Sequence, residues 1–157
     1  MSDLSIKRAG ANDVETLVTL RLEMRREREN CALEMPETEF AELLRKYFSG
    51  AVQNGSFISF IALDGETAAA CSGLSVIELP PSYGDLTGKK GYITNMYTRP
   101  EYRGRGIARK LLDELKNYAA EAGCSTLALN ASDAGYPVYK KYGFEDVSGE
   151  MKLKIKD

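Results

Sequence analysis

The residues best suited to chemistry lie in one stretch, Tyr97-Thr-Arg-Pro-Glu-Tyr-Arg-Gly-Arg-Gly-Ile-Ala108. Gly104 and Gly106 stand where a strand-like run gives way to an apolar pattern with helical spacing. Glycine lets main-chain N–H groups approach a ligand closely. The first turn of a helix adds donors without partners at the positive end of its dipole. Such a turn suits a pyrophosphate. Charge agrees: Arg99, Arg103, Arg105, Arg109 and Lys110 put five of the 21 basic residues within twelve positions, where even scattering would put roughly 1.6. The whole chain carries a net charge of −2, so this is a local anion site on a nearly neutral body.

Other phosphate loops fail on spacing. A dinucleotide-binding G-x-G-x-x-G would need glycine at the position of Arg109. The closest approach to a P-loop, Gly84 to Lys90, is one residue short, lacks the hydroxyl and precedes a strand. The chain has no histidine, which removes Ser-His-Asp and Cys-His nucleophiles, H-E-x-x-H metal sites and any histidine base. Tyrosine, carboxylates, lysine, cysteine, backbone or water must carry the chemistry.

The elements that position this turn follow from periodicity. Leu4 to Arg8 alternates as a strand, and Asn12 with Glu15 has the spacing of a helix cap before Val14, Leu17, Val18 and Leu22. A second helix is predicted from Met35-Pro36 to the turn at Asn54-Gly55. Phe57 to Leu63 and Thr67 to Glu78 read as strands joined by a tight turn at Asp64-Gly65, and Gly91 to Thr98 as a third. Ile107 to Ala122 is helical with Gly123 as its C-terminal cap, Thr126 to Leu129 a strand, Tyr136 to Tyr142 a short helix, and Met151 to Ile155 a last strand. The order β α α β β β α β α β predicts a mixed α/β domain. At 157 residues the whole chain, 1–157, fits one domain.

With these elements in place, Arg103-Gly-Arg-Gly-Ile-Ala108 resembles the R/Q-x-x-G-x-G/A coenzyme A signature of the GCN5-related N-acetyltransferase (GNAT) superfamily. Asn95-Met-Tyr-Thr-Arg-Pro-Glu-Tyr upstream and Val138-Tyr-Lys-Lys-Tyr-Gly-Phe144 downstream also look like that family, in the right order and separation. The resemblance runs from about residue 4 to 155. It implies an acyl-CoA N-acyltransferase fold whose two central strands splay apart, flanked by helices. Acetyl-CoA would enter the gap as acyl-donor co-substrate, with no metal. Main-chain groups of Met96, Tyr97 and Thr98 would bond the pantetheine and the thioester carbonyl. Amides across Arg103, Gly104, Arg105, Gly106, Ile107 and Ala108 would cradle the pyrophosphate, and Asn130 and Asp133 would lie along the cofactor after the second splayed strand. Tyr139 maps onto the family's frequent general acid, with Tyr142 as rival.

Two departures from the family pattern concern the base and a cofactor contact. Tyr92 stands where many relatives carry a glutamate, and Asp133 where many carry an asparagine. Glu23 and Glu27 share a helical face that also carries Arg21, Arg25, Arg26 and Arg28, and that face reads as solvated. The implied reaction is transfer of acetyl to a small-molecule or peptide amine by direct attack in a ternary complex. The alternative is a non-catalytic acyl-CoA-binding sensor or interaction domain. A nucleic-acid module on the 99–110 cluster is disfavoured, since only Tyr97 and Tyr102 are at hand for stacking.

Cys31, Cys71 and Cys124 are odd in number and form no C-x-x-C pair, which speaks against a zinc ribbon or disulfide framework. Cys71 and Cys124 are expected to fill core space. The start of the chain lacks the apolar stretch of a signal peptide, and the apolar runs are too short to span a bilayer. A cytoplasmic location without a membrane partner is expected. Family members are often dimers, so a homodimer is compatible with the resemblance.

Overall fold

A computed structural model describes residues 3–28 and 35–156. Five strands form one sheet in sequence order: β1 (Ser5–Arg8), β2 (Phe60–Asp64), β3 (Thr67–Glu78), β4 (Lys89–Thr98) and β5 (Thr126–Leu129). The first four pair antiparallel and β4 pairs with β5 in parallel. α1 (Val14–Arg26) and α2 (Glu37–Asn54) pack on one face, and α3 (Ile107–Glu121) with α4 (Tyr136–Tyr142) on the other. The architecture is a mixed α/β sandwich of three layers.

Each face has its own apolar cluster. Leu17, Val18 and Leu20 of α1 meet Phe48, Phe57, Ile61, Cys71 and Tyr97. On the other face Leu111, Leu112 and Leu115 of α3, all fully buried, meet Ile58, Ala62, Ala70, Leu74 and Ile93. Leu111 and Leu115 lie one turn apart with Leu112 beside them, the stripe a core-facing helix requires. Truncating any of these leucines to alanine would cost about 2–5 kcal/mol. Gly123 sits at φ 83° just past α3, which is why glycine ends that helix.

β4 is the strand that makes the site. It pairs with β5 only across Lys90–Ile93 against Thr126–Leu129, because β5 stops at Leu129 while β4 runs on to Thr98. Beyond Ile93 the β5-facing edge of β4 has no strand partner among the described residues. The register with β3 also slips between Cys71 and Gly73, opposite Asn95, which adopts φ 58°. Asn95 is the one described residue other than glycine at positive φ, a place asparagine tolerates. The parallel pair therefore splays and kinks at one point.

Two expectations are corrected. Met151 to Ile155 forms no strand; Met151, Leu153 and Ile155 are 94%, 86% and 90% exposed. Alternation makes a strand only where a partner edge pairs with it, and among the described residues this segment pairs with none. The start of α1 also differs: a turn of 3-10 helix at Ala11–Asp13 precedes it, and Asp13 rather than Glu15 reaches back, accepting from the Gly10 N–H at 2.8 Å and from Lys7 Nζ.

Candidate active site

The turn between β4 and α3 is built from two residues that only glycine accommodates without strain. Gly104 and Gly106 lie at φ 75° and 74°, and Gly106 caps α3 in the left-handed conformation. A Cβ on either would meet open space, so backbone conformation and not crowding selects glycine here. The turn points its main chain outward. None of the six amides from Gly104 to Arg109 donates to another described residue. Ile107 is buried beneath them and anchors the first turn of α3 to the sheet. Six open donors at a helix start, ringed by Arg103, Arg105, Arg109 and Lys110, form an anion cradle.

α1 holds that turn in place. Glu23 takes a bidentate pair from Arg99, at 2.8 Å and 2.7 Å, while Arg99 also donates to the carbonyl of Ala68. Glu27 accepts from the Tyr97 hydroxyl and from Arg103 Nη2, both at 2.5 Å. Arg103 Nε donates to the Thr98 carbonyl at 2.9 Å, and its guanidinium lies 5.9 Å from the Tyr97 ring. Burial alone would raise the Glu27 carboxyl, but the Tyr97 hydroxyl and Arg103 outweigh it and hold it below the ordinary carboxylate value. Burial and Glu27 together push the Tyr97 phenol up. The expectation of a solvated acidic face is thus corrected: Glu23 and Glu27, one turn apart, tie α1 to the end of β4 and to the turn.

A cavity of about 170 Å³ fills the splay. Tyr92 to Met96 form one wall, Leu129, Asn130, Ser132 and Tyr139 the other, and Arg21, Met24 and Arg28 of α1 and the residues after it close the end. The Asn95 side chain is buried; its Nδ2 lies 3.6 Å from Cys71 Sγ, and its Oδ1 has no partner among the described residues. Tyr139 leans on Phe144 edge-on, with ring centres 5.7 Å apart, and its hydroxyl has no hydrogen-bond partner among the described residues. Burial raises its phenol above the ordinary value, offset in part by Arg28. A larger cavity of about 620 Å³ lies between α1 and the β2–β3 turn. There Lys7 pairs with Asp13, Glu15 with Arg45 and Arg99 with Glu23, and no row of open amides leads in.

The structure brings Met96, Asn130 and Tyr139 together around the splay, with Tyr97, Thr98 and the turn 103–108 continuing from its edge. Asp133 is exposed and does not line the cavity; Ser132 does, while also accepting from the Gly135 N–H. Tyr142 donates to Asp113 at 2.7 Å, and burial with that carboxylate pushes its phenol up to about 12. It is committed to the fold in a way Tyr139 is not. Cys71 is fully buried and its thiol pushed up to about 12 by burial, so it packs rather than reacts. Cys31 lies outside the described residues. The sequence reading missed Arg21, Arg28 and Asn95. An asparagine inside a strand pattern, and arginines at 21 and 28 flanking Met24 on one helical face, were the available signals.

Comparison with known proteins agrees with this geometry. The acetyltransferase (GNAT) family model matches residues 20–144. A predicted acetyltransferase from Clostridium acetobutylicum, solved with acetyl-CoA, is 35% identical, with 98% of this chain and 97% of that one covered at a TM-score of 0.89. A GCN5-related N-acetyltransferase from Ralstonia eutropha is 27% identical over 98% of this chain and all of its own, at a TM-score of 0.87. Among curated relatives, the glucosamine 6-phosphate N-acetyltransferase 1 of Dictyostelium discoideum is 24% identical, with 80% of each chain covered. The thialysine N-epsilon-acetyltransferase of Bos taurus is 34% identical over 43% of this chain, and the match spans 41% of the bovine protein's length. The match to the family model across most of the chain, on a fold that splays at β4, places the protein in the GNAT acetyltransferase family.

Proposed function

We propose that the protein transfers the acetyl group of acetyl-CoA to a primary amine by direct attack in a ternary complex, with Tyr139 as general acid. The observation that carries this reading is continuity. Six unpartnered amides at the start of α3 lead along the open edge of β4 into a cleft that ends at a free tyrosine hydroxyl. The amides of 104–109 would hold the diphosphate of acetyl-CoA, and Met96, Tyr97 and Thr98 would take the pantetheine between the splayed strands. Asn130 closes the cofactor channel from the β5 side. These residues fit the group: a dianion meets open N–H donors and basic side chains, and an extended amide arm meets an unpaired strand edge.

The amine nitrogen attacks the thioester carbonyl carbon. The C–N bond forms, the carbonyl oxygen gathers charge, and an N–H on the β4 edge stabilises it; one such donor is worth about 3 kcal/mol. The tetrahedral adduct collapses with loss of the C–S bond; the departing thiolate takes its proton from Tyr139, and the proton that the nitrogen sheds as it becomes an amide returns through water to the phenolate. An ordinary thiol near 8.5 and an ordinary phenol near 10 differ by about 1.5 units, or about 2 kcal/mol; burial raises the Tyr139 phenol and makes donation more uphill than that, so the proton is transferred only in part in the transition state. No carboxylate lines the cleft among the described residues, so the amine releases its proton to water before it attacks.

The reading extends to a single catalytic domain in the cytoplasm. A second copy of the chain fits the segment 147–155, where Val147, Met151, Leu153 and Ile155 are exposed, and the four-residue edge strand β5 that ends the sheet. Light scattering would report a dimer in that case and a monomer otherwise. The transferase reading is tested by incubating the protein with acetyl-CoA and a panel of amines while free thiol is followed. Acetylation of any amine above the rate of hydrolysis supports it; binding of acetyl-CoA without release on any amine leaves an acyl-CoA sensor.

A further inference from the structure

The end of the cleft carries two cations and no anion. Arg21, Met24 and Arg28 fall at i, i+3 and i+7 and so share one face, turned toward the splay while Glu23 and Glu27 turn toward Arg99 and Arg103. Neither the Arg21 nor the Arg28 guanidinium makes an ion pair or hydrogen bond among the described residues, Arg28 bonding only through its main-chain N–H to the Arg25 carbonyl. The remaining lining residues are neutral. Arg21 is half-buried, and burial first, then the neighbouring Arg28, lowers its affinity for a proton. Two like charges held close, one partly stripped of water, with every acid on that helix segment spoken for, form an arrangement that an incoming anion relieves. Beside them, the unpartnered Oδ1 of Asn95 offers an acceptor to an N–H donor.

Resting on the transferase reading above, we infer that the acceptor is an amine that also bears an anionic group, a carboxylate or a phosphate, gripped by Arg21 and Arg28 while its nitrogen faces the thioester. Guanidinium groups suit both anions because each offers paired N–H donors in a fixed plane. Polycationic acceptors such as polyamines and aminoglycosides are disfavoured by the same two charges. The cofactor's own phosphates are served by the open amides of the turn at the start of α3, whereas Arg21 and Arg28 line the cleft with Tyr139 and Asn130.

The test uses the protein saturated with coenzyme A, so that the cofactor's phosphates are already accommodated. It is titrated by calorimetry with two matched pairs: 6-aminohexanoate against 6-aminohexanamide, and O-phosphoethanolamine against ethanolamine. The charged member of at least one pair binds about ten-fold tighter or more, the worth of one charge-assisted hydrogen bond. Which pair discriminates assigns carboxylate or phosphate. In Arg21→Met, which keeps the packed stem, and in Arg28→Gln, that ratio collapses toward one while coenzyme A still binds. Equal binding within both pairs, preference for the neutral members, or a ratio that survives both substitutions overturns the inference with the transferase reading intact. Failure of coenzyme A to bind overturns both.

Discussion

Replacing Tyr139 by phenylalanine removes one oxygen and nothing the fold uses. The hydroxyl bonds no described residue, and the ring keeps its edge contact with Phe144. Stability should therefore move by less than about 0.5 kcal/mol, the range of substitutions that break no interaction. The rate should not be so tolerant. A positioned general acid contributes about 10²–10⁴-fold. Burial holds this phenol above its ordinary value, so it gives its proton less readily than free tyrosine and the lower end applies. The expected fall in kcat is about 100-fold, with the affinity for acetyl-CoA nearly unchanged. Tyr142→Phe is the matched control. It breaks the bond to Asp113 and should cost about 1 kcal/mol of stability while leaving kcat near wild type. Steady-state kinetics with an accepted amine, alongside thermal melts, separates the two. If Tyr139→Phe kept kcat within about two-fold, or if Tyr142→Phe carried the larger rate loss, the assignment of the acid would be refuted.

Three further outcomes follow from the same geometry. Because no carboxylate lines the cleft among the described residues, kcat/KM for an alkyl amine should climb about ten-fold per pH unit below the amine's own pKa. A plateau between about pH 6 and 8 would reveal a base built into the protein. On the alkaline side activity is lost as Tyr139 ionises, at a pH above the ordinary tyrosine value because burial raises the phenol. Glu27 is held below its ordinary 4.5, so its contribution to stability is present above that value and is lost as pH falls through the lowered one. The unfolding free energies of wild type and Glu27→Gln should differ at pH 7 by no more than a half-exposed ion pair allows, about 1 kcal/mol, and converge in acid; a gap that widens in acid would reverse the sign. Gly135→Ala would place a methyl 2.9 Å from a ring carbon of Tyr139 and 3.2 Å from Ser132 Oγ. The ring must shift, so kcat should fall while the melting temperature changes little; unchanged kcat would mean that the ring position is not critical.

Most of the scaffold was legible because its signals are local. Gly55, Gly104, Gly106 and Gly123 mark turns and helix ends through a positive φ that the sequence announces, and the stripe of Leu111, Leu112 and Leu115 fixes the face of α3. Thr67–Glu78, Thr126–Leu129 and Tyr136–Tyr142 start and stop where periodicity places them. The misses are non-local. Met151–Ile155 has a strand's pattern, but pairing needs an edge that no local signal supplies. Glu23 and Glu27 read as solvated until β4 and the turn after it bring Arg99, Tyr97 and Arg103 against them from 70 and 76 residues away. The splay itself was expected from family resemblance alone. Its physical cause is the difference in length between β4 and β5 with the kink at Asn95, and only the register shows it.

The proposed grip of six open main-chain amides on a diphosphate underlies every later step of the proposed reaction. The most direct measurement is a calorimetric titration of the folded protein at low ionic strength with coenzyme A and, in parallel, with pantetheine, which lacks the diphosphate. Coenzyme A should bind about 100-fold more tightly or better, the worth of two charge-assisted hydrogen bonds at about 1.5 kcal/mol each. Equal affinity for the two compounds, or no heat with coenzyme A, would contradict the account at its base.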